Sequence, residues 1–228
     1  MRDVLDDEAG RARFVRTHTE VFAPALVPEL PLHLGRDFTA LWVLVQETLG
    51  DGSAPPPYWA FAWPGGQAVA RHLLDNPSLV AGRRVVDFAT GSGLCALAAA
   101  KAGAAHVIAY DIDALAVTAV RENAAALGLT IDARCRSPLD SVPRGAQVIL
   151  AGDVCYEARP APGIVTWLRA CAAAGKDVFL GDPDRAYRPQ DGLVLLAEHE
   201  VRTPLRVEGE HHKHPRVYRV LGTPTQEG

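Results

Sequence analysis

The sequence predicts an α/β protein: a mostly parallel sheet covered by helices on both faces, preceded by a helical extension. Two observations carry this reading. From residue 84 to residue 180, short apolar runs alternate with Ala-rich stretches, and strand–helix alternation of that kind builds a parallel sheet buried on both sides. After that the alternation stops. Residues 193–202 and 217–221 read as two strands with no good helix between them, so they pair most simply as antiparallel neighbours at the sheet edge.

Residues 1–56 form the extension. Residues 11–22 and 38–49 both carry apolar positions near helical spacing, the second through Phe38, Leu41, Trp42, Val45 and Leu49. Pro24, Pro28 and Pro31 interrupt any helix between them and leave irregular, extended chain. The segment 51–57, ending in three consecutive prolines, is a linker. Residues 65–74 then read as a helix that stops before Asn76-Pro77. Strand 84–88 leads into helix 94–102, closed by Gly103, and strand 106–110 follows. Asp113 caps the next helix, which runs to Leu127 and stops at Gly128. Further strands are expected over 131–135, 147–151 and 177–180, with a helix over 164–173.

Composition narrows the function. The 228 residues carry 23 Lys+Arg against 27 Asp+Glu, a formal charge of −4, which disfavours a protein built to neutralise phosphate backbones. No apolar run reaches the roughly 18–20 residues of a membrane span. The start, Met1 to Glu8, is acid-rich and reads as neither signal nor transit peptide. Cys95, Cys135, Cys155 and Cys171 are widely spaced, favouring reduced thiols over a disulfide frame or metal site. His211-His212-Lys213-His214 reads as an exposed polar loop, and no metal is expected. The expectation is a cytoplasmic monomer with no nucleic-acid or membrane partner.

The sharpest local feature is Val85-Val86-Asp87-Phe88-Ala89-Thr90-Gly91-Ser92-Gly93, a strand running through a glycine turn into a helix. Such a turn brings backbone N–H groups up to a ligand at a helix N-terminus, and Gly91-x-Gly93-x-x-Ala96 fits a loose dinucleotide pattern. Asp111, 20 residues after Gly91, is placed to accept both ribose hydroxyls of either NAD or S-adenosylmethionine. Asp87 separates the two. A carboxylate at the end of the first strand repels a pyrophosphate but favours the ammonium of S-adenosylmethionine. The weaker alternative for Asp87 taken alone is a carboxylate that caps the turn.

The second loaded segment is Gly152-Asp153-Val154-Cys155-Tyr156, after the fourth strand of the alternating region. Ligands bind outside the carboxyl ends of strands in an open α/β sheet, and this loop neighbours the glycine turn in a doubly wound order. Asp153 and Tyr156, three apart, can converge there on a substrate nitrogen. In isolation they would read as a capping Asp and a half-buried Tyr.

Several segments now fall in one order: the run from Pro57 through Trp63-Pro64-Gly65-Gly66-Gln67, Leu74-Asp75-Asn76-Pro77, the Asp87–Gly93 turn, Asp111-Ile112-Asp113, the Asp153-x-x-Tyr156 motif and Gly181-Asp182-Pro183. Together they closely resemble the seven-β-strand protein-lysine methyltransferases, and within them the electron-transfer flavoprotein β-subunit lysine methyltransferases. The resemblance is strong over roughly residues 57–190. It implies a Rossmann-like, seven-stranded sheet with a reversed last strand over 57–228, S-adenosylmethionine as donor, and a lysine of the flavoprotein β subunit as acceptor. It places Trp63 near the methionine part of the cofactor, Ala89, Gly91, Gly93 and Gly152 along its backbone-contacting turns, Asp111 and Ile112 at the ribose, and Leu139 or Asp140 at the adenine. Asp153 and Tyr156 match the pair facing the target lysine. Ala89 stands where a glycine is usual, and Asp184-Arg185 where Gly-Arg is expected. The rival acceptors are ribosomal protein L11 or a small amine. A non-catalytic cofactor-binding module and an NAD-dependent oxidoreductase are the remaining alternatives. The lysine, with an unperturbed pKa of about 10.4, must attack neutral. Asp153 is accordingly expected to bind and orient it while its proton leaves to water, with Tyr156 offering a ring face and a hydroxyl.

Overall fold

The computed structural model describes residues 5–203 and 211–222, so positions 1–4 of the acid-rich start lie outside the described residues. Helix α1 (Glu8–His18) begins where the Asp7 carboxylate accepts a hydrogen bond from the Gly10 N–H at 2.6 Å, satisfying one of the unpaired donors of the first turn. The helix expected over 11–22 stops short. Thr19 is extended and its hydroxyl donates back to the Val15 carbonyl at 2.6 Å, so the next residues leave the helix axis. They form β1 (Glu20–Phe22), which pairs antiparallel with β2 (Leu32–Leu34). The proline-interrupted stretch between them is irregular as expected, yet Val27 and Leu30 are fully buried beside Leu94 and Leu97. Helix α2 (Phe38–Leu49) is capped by Asp37 and ends at a left-handed Gly50.

Helix α3 (Pro64–Asp75) starts with proline at its first position, where the missing N–H costs nothing. The alternating region follows: β3 (Arg84–Phe88), α4 (Leu94–Lys101), β4 (His106–Asp111), α5 (Ala114–Ala126), β5 (Asp132–Cys135), β6 (Val148–Gly152), α6 (Pro160–Ala173) and β7 (Asp177–Asp182). Asp113 caps α5 by accepting from the Leu115 N–H at 2.7 Å. Helix α6 begins four residues earlier than expected because Pro160 is compatible with a first turn. Beyond lie β8 (Leu193–Glu198), β9 (Val201–Arg202), β10 (His212–Lys213) and β11 (Arg216–Val220).

Seven strands form the main sheet in the order β5-β4-β3-β6-β7-β11-β8. The first five run parallel, and β11 is antiparallel to both β7 and β8. The last strand is thus reversed, and it inserts between β7 and β8, leaving β8 alone at the edge. The single strand expected over 193–202 divides, because β9 pairs with β10 in a separate ribbon.

Alternate residues of the central strands enter two cores. Val85, Leu150 and Phe179 pack with α3, α4 and α5, whereas Val86, Ile149 and Leu180 pack against Trp167 and Leu168 of α6. Burial on both faces is why these strands read as unbroken apolar runs. The chain winds outward from β3 through β4 to β5, then returns to β6 on the other side of β3. That reversal opens a crevice at the carboxyl ends of β3 and β6. The buried Asn123 of α5 fixes the extension beside this crevice: its side chain accepts from the His33 N–H at 2.7 Å and donates to the Ser92 carbonyl at 3.0 Å.

Candidate active site

After β3 the chain turns through Ala89, Gly91 and Gly93 with φ of 51°, 52° and 85°. Ala89 occupies a left-handed conformation that costs an L-residue about 1–2 kcal/mol, so the turn keeps a glycine-like path without the glycine. Gly91 borders an open cavity, whereas a Cβ on Gly93 would come within 3.0 Å of the Val120 side chain. Gly93 therefore serves the packing of the turn on α5 and does not line the cavity.

Asp87 does not reach the cavity either. Its carboxylate is 1% exposed and accepts from the Thr90 hydroxyl at 2.6 Å and the Ala96 N–H at 3.1 Å. It turns back beneath the loop and ties the strand end to α4, which corrects the expectation of a direct contact with a ligand ammonium. Burial pushes its pKa up to about 7.

Asp111 ends β4 on the cavity wall. It accepts from the Gly91 N–H at 2.9 Å and the Asp113 N–H at 3.0 Å, and burial raises its pKa. Ile112 and Leu139 border the same space, of about 910 Å³, which continues past Ala89 to Gly152, Asp153, Tyr156 and Trp63. Asp140 faces a different, smaller cavity of about 340 Å³ with Arg84, Arg134 and Arg144. Of the residues proposed from sequence, then, Asp87, Gly93 and Asp140 lie off the main cavity.

The far end of the cavity is organised by glycines. Gly65 and Gly66 open α3 directly across the ends of β6 and β7. A Cβ on Gly152 would lie 2.7 Å from the Gly66 Cα, and one on Gly181 would collide with the Gly65 carbonyl oxygen. This backbone-to-backbone approach delivers two free N–H groups of the α3 N-terminus to Asp153. Its Oδ2 accepts from the Gly65 N–H and from the Gly66 N–H, the latter at 3.2 Å, where the helix dipole also favours a negative charge. Oδ1 takes both Nε and Nη2 of Arg185, at 2.9 and 2.7 Å. Asp153 is 5% exposed and each of its oxygens accepts two hydrogen bonds. It is a junction between α3 and the loop after β7.

Arg185, which the sequence reading noted only as part of a departure, lies with its guanidinium carbon 5.8 Å from the Trp63 ring centroid. Asp184 precedes it at φ 77°, the conformation a glycine would adopt there without strain, so the Asp-Arg sequence follows the path expected of Gly-Arg. Trp63 donates through its indole N–H to the Tyr58 carbonyl at 2.7 Å. The Tyr58 ring stands 5.3 Å from that of Tyr156, which is 43% exposed. Burial raises both phenols above their ordinary pKa, so they remain hydrogen-bond donors. Cys155 is buried and pushed up to about 12, unsuited to nucleophilic work. His212 pairs with Glu200 at 2.8 Å in the β9–β10 ribbon.

These burials predict a pH dependence. Asp87 and Asp182 are pushed up to about 7 and Asp113 to about 6, against an unfolded value of about 3.9. Between those values the folded state holds more protons than the unfolded one, so their contribution falls as pH rises. The melting temperature is expected to be higher at pH 5.5 than at pH 8, with a shallower slope in Asp182→Asn. Equal slopes in a calorimetric series would contradict the burial.

A family model described as ribosomal protein L11 methyltransferase matches residues 72–152. The electron transfer flavoprotein beta subunit lysine methyltransferase of Danio rerio is 39% identical over 180 residues, covering 76% of this chain and 67% of its own. The human protein of the same name is 32% identical over 218 residues, covering 94% of this chain and 76% of its own. The chain belongs to the electron transfer flavoprotein β-subunit lysine methyltransferase family. It is an enzyme, an S-adenosylmethionine-dependent methyltransferase. Likeness to a ribosomal protein L11 methyltransferase, from Symbiobacterium thermophilum, is confined to 32% of this chain and 24% of that one, at 45% identity. Among solved structures, Trm5b from Pyrococcus abyssi superposes with a TM-score of 0.57 at 12% identity, over 90% of this chain and 56% of that one. Magnesium protoporphyrin IX methyltransferase from Synechocystis PCC 6803, solved with bound S-adenosylmethionine, gives 0.50 at 18%, over 68% and 77%. These two show the shared fold and carry no information on the acceptor. No helix among the described residues is long and apolar enough to cross a membrane.

Proposed function

We propose that this enzyme methylates lysine side chains of an electron transfer flavoprotein β subunit, as a cytoplasmic monomer whose partner is a protein. Residues 57–228 serve as the methyltransferase domain and residues 1–56 as its extension. The observation that carries the reading is one continuous cavity lined both by Asp111 and by the Trp63–Tyr58–Tyr156 aromatic wall. Its size lies within the range of pockets that hold cofactor-sized ligands. The similarity to ribosomal protein L11 methyltransferases falls on residues 72–152, which carry the glycine turn and Asp111, so it speaks for the donor site and not for the acceptor.

Bound there, S-adenosylmethionine supplies an electrophilic methyl group on a sulfonium. Asp111 would hold the ribose hydroxyls, with Gly91, Ala89 and Ile112 shaping the turn around them and Leu139 beside the base. Gly152 and Trp63 would flank the amino-acid part. The protein aligns an in-line displacement, where positioning supplies much of the rate. Tyr156 contributes a donor hydroxyl and a ring face to the acceptor amine, and the aromatic wall excludes water from it.

Incubation with labelled S-adenosylmethionine and purified electron transfer flavoprotein, followed by peptide mass spectrometry, tests the acceptor. Label on β-subunit lysines is expected; label on ribosomal protein L11 with none on the flavoprotein would overturn the proposal. In parallel, Asp111→Ala is expected to weaken S-adenosylhomocysteine binding by roughly 10- to 100-fold in calorimetry, the worth of hydrogen bonds to a charged group. Unchanged affinity would remove Asp111 from the ribose site.

A further inference from the structure

We propose that Arg185 is a positioning residue for the methyl acceptor: held against Asp153, it cancels that carboxylate's charge beside the cavity, so the entering lysine is not kept as an ammonium ion. This rests on the lysine-methylating reading above.

A carboxylate facing an acceptor lysine creates a conflict. It draws the side chain in, but an opposite charge within about 4–6 Å favours the charged form and shifts a pKa by 1–3 units. The ammonium form has no lone pair for the methyl carbon. The structure removes the conflict by filling the carboxylate. Two N–H groups of α3 hold Oδ2, and Nε and Nη2 of Arg185 hold Oδ1. The guanidinium, flanked by Trp63, lines the same cavity as Tyr156. A lysine entering there meets a neutral ion pair and a wall of aromatic rings. A cation beside a lysine, together with desolvation, is a general way to hold the amine neutral. The amine sheds its proton to water before attack. Its lone pair then forms the new C–N bond as the S–C bond breaks, the electron pair going to sulfur and the positive charge appearing on nitrogen.

Among the described residues, the other charged or titratable groups around this point include Tyr58 before α3, Asp111 and Asp113 after β4, Arg136 after β5, Tyr156, Glu157 and Arg159 before α6, and Asp182 at the end of β7 with Arg188 beyond it. The buried thiols Cys95 and Cys155 are pushed above their ordinary pKa. Burial raises both phenols above their ordinary pKa. Asp182, pushed up to about 7, accepts from the Arg185 backbone N–H at 2.7 Å. A limb due to Asp182 would be lost in an Asp182→Asn background, whereas a limb due to the lysine would still move there when Arg185 is replaced.

The test is the pH–rate profile of lysine methylation for the wild type, Arg185→Gln, Arg185→Lys and Arg185→Gln/Asp153→Asn, with purified flavoprotein as acceptor. Arg185→Gln bares the carboxylate, and its ascending limb is expected to move up by about one pH unit or more. Its rate is then about tenfold lower near pH 7.5 and recovers toward pH 10. Arg185→Lys should keep the limb near that of the wild type, and adding Asp153→Asn to Arg185→Gln should bring it back. Should Arg185→Gln fail to fold, Asp153→Asn alone serves, because an uncompensated Arg185 moves the limb the opposite way. An equal loss of kcat at every pH would make Arg185 merely structural. A lower KM for the flavoprotein with an unmoved limb would make it a competitor for the lysine's place. Either result overturns the proposal. A wild type that labels no lysine at any pH would instead defeat the functional reading beneath it.

Discussion

Replacing Gly181 by alanine is expected to cost about 3 kcal/mol of stability, the upper end for overpacking a filled core, and to abolish methylation. Its new Cβ would collide with the Gly65 carbonyl oxygen and lie 2.7 Å from both the Gly65 carbonyl carbon and the Val69 side chain. Two of those three atoms are backbone, which has no rotamer with which to yield. Neither partner can withdraw cheaply. Gly181 is paired with Gly152 on one side and Val217 on the other, and its carbonyl accepts the Asp153 N–H at 2.9 Å. Relief must come from lifting the N-terminus of α3, which takes the Gly65 and Gly66 N–H groups away from Asp153. Stability and the acceptor end of the cavity should therefore fail together. Urea unfolding and turnover measure both, and Gly163→Ala is the control. Gly163 lies in α6 where a Cβ would meet nothing within 4 Å, so alanine there should be neutral or stabilise by up to about 1 kcal/mol. A Gly181→Ala protein that unfolds at the wild-type denaturant concentration would mean that α3 does not sit on β7 as described.

That contact shows what was legible in the sequence and what was not. The central strands declared themselves because Val85-Val86 and Val148-Ile149-Leu150 are buried on both faces, leaving no polar position to blur the pattern. The Trp63-Pro64-Gly65-Gly66-Gln67 run was visible as a signature, but not its purpose. That purpose depends on two strand ends far along the chain, and on Gln67 bridging the Leu26 N–H at 3.1 Å and the Ala62 carbonyl at 2.7 Å. The β1–β2 hairpin was missed because three-residue strands carry no periodicity to read. Asp87 was placed correctly at a strand end, yet the direction of its side chain is set by Thr90 and Ala96, whose donors appear only once the turn is folded. Arg185 escaped for a related reason. Its pairing with Asp153 spans 32 residues and depends on the left-handed step at Asp184, which the sequence shows only as a missing glycine.

Asp153→Ala is expected to produce the largest functional loss, on the order of 100-fold or more in turnover, with a destabilisation of about 3–5 kcal/mol, the cost of removing one partner from a buried ion pair. The truncation would leave the Arg185 guanidinium without its carboxylate and the first N–H groups of α3 without an acceptor. Unmade bonds of this kind cost more than the formed bonds contribute. Asp153→Asn is the informative neighbour. Its amide oxygen can still accept from one partner, but it carries no charge for Arg185, so it should fall between the wild type and alanine in stability. Its kcat plateau should drop strongly even as its ascending limb moves to lower pH, while S-adenosylhomocysteine affinity changes less than about tenfold, since Asp111 and Gly91 keep their mutual hydrogen bond. Melting curves, calorimetry and initial rates on the three proteins separate the two roles of one side chain. Full turnover in Asp153→Asn would remove the carboxylate from the chemistry. An alanine variant as stable as the wild type would show that α3 and the Arg185 loop hold together without it, and the junction would then be a consequence of the fold, not a cause.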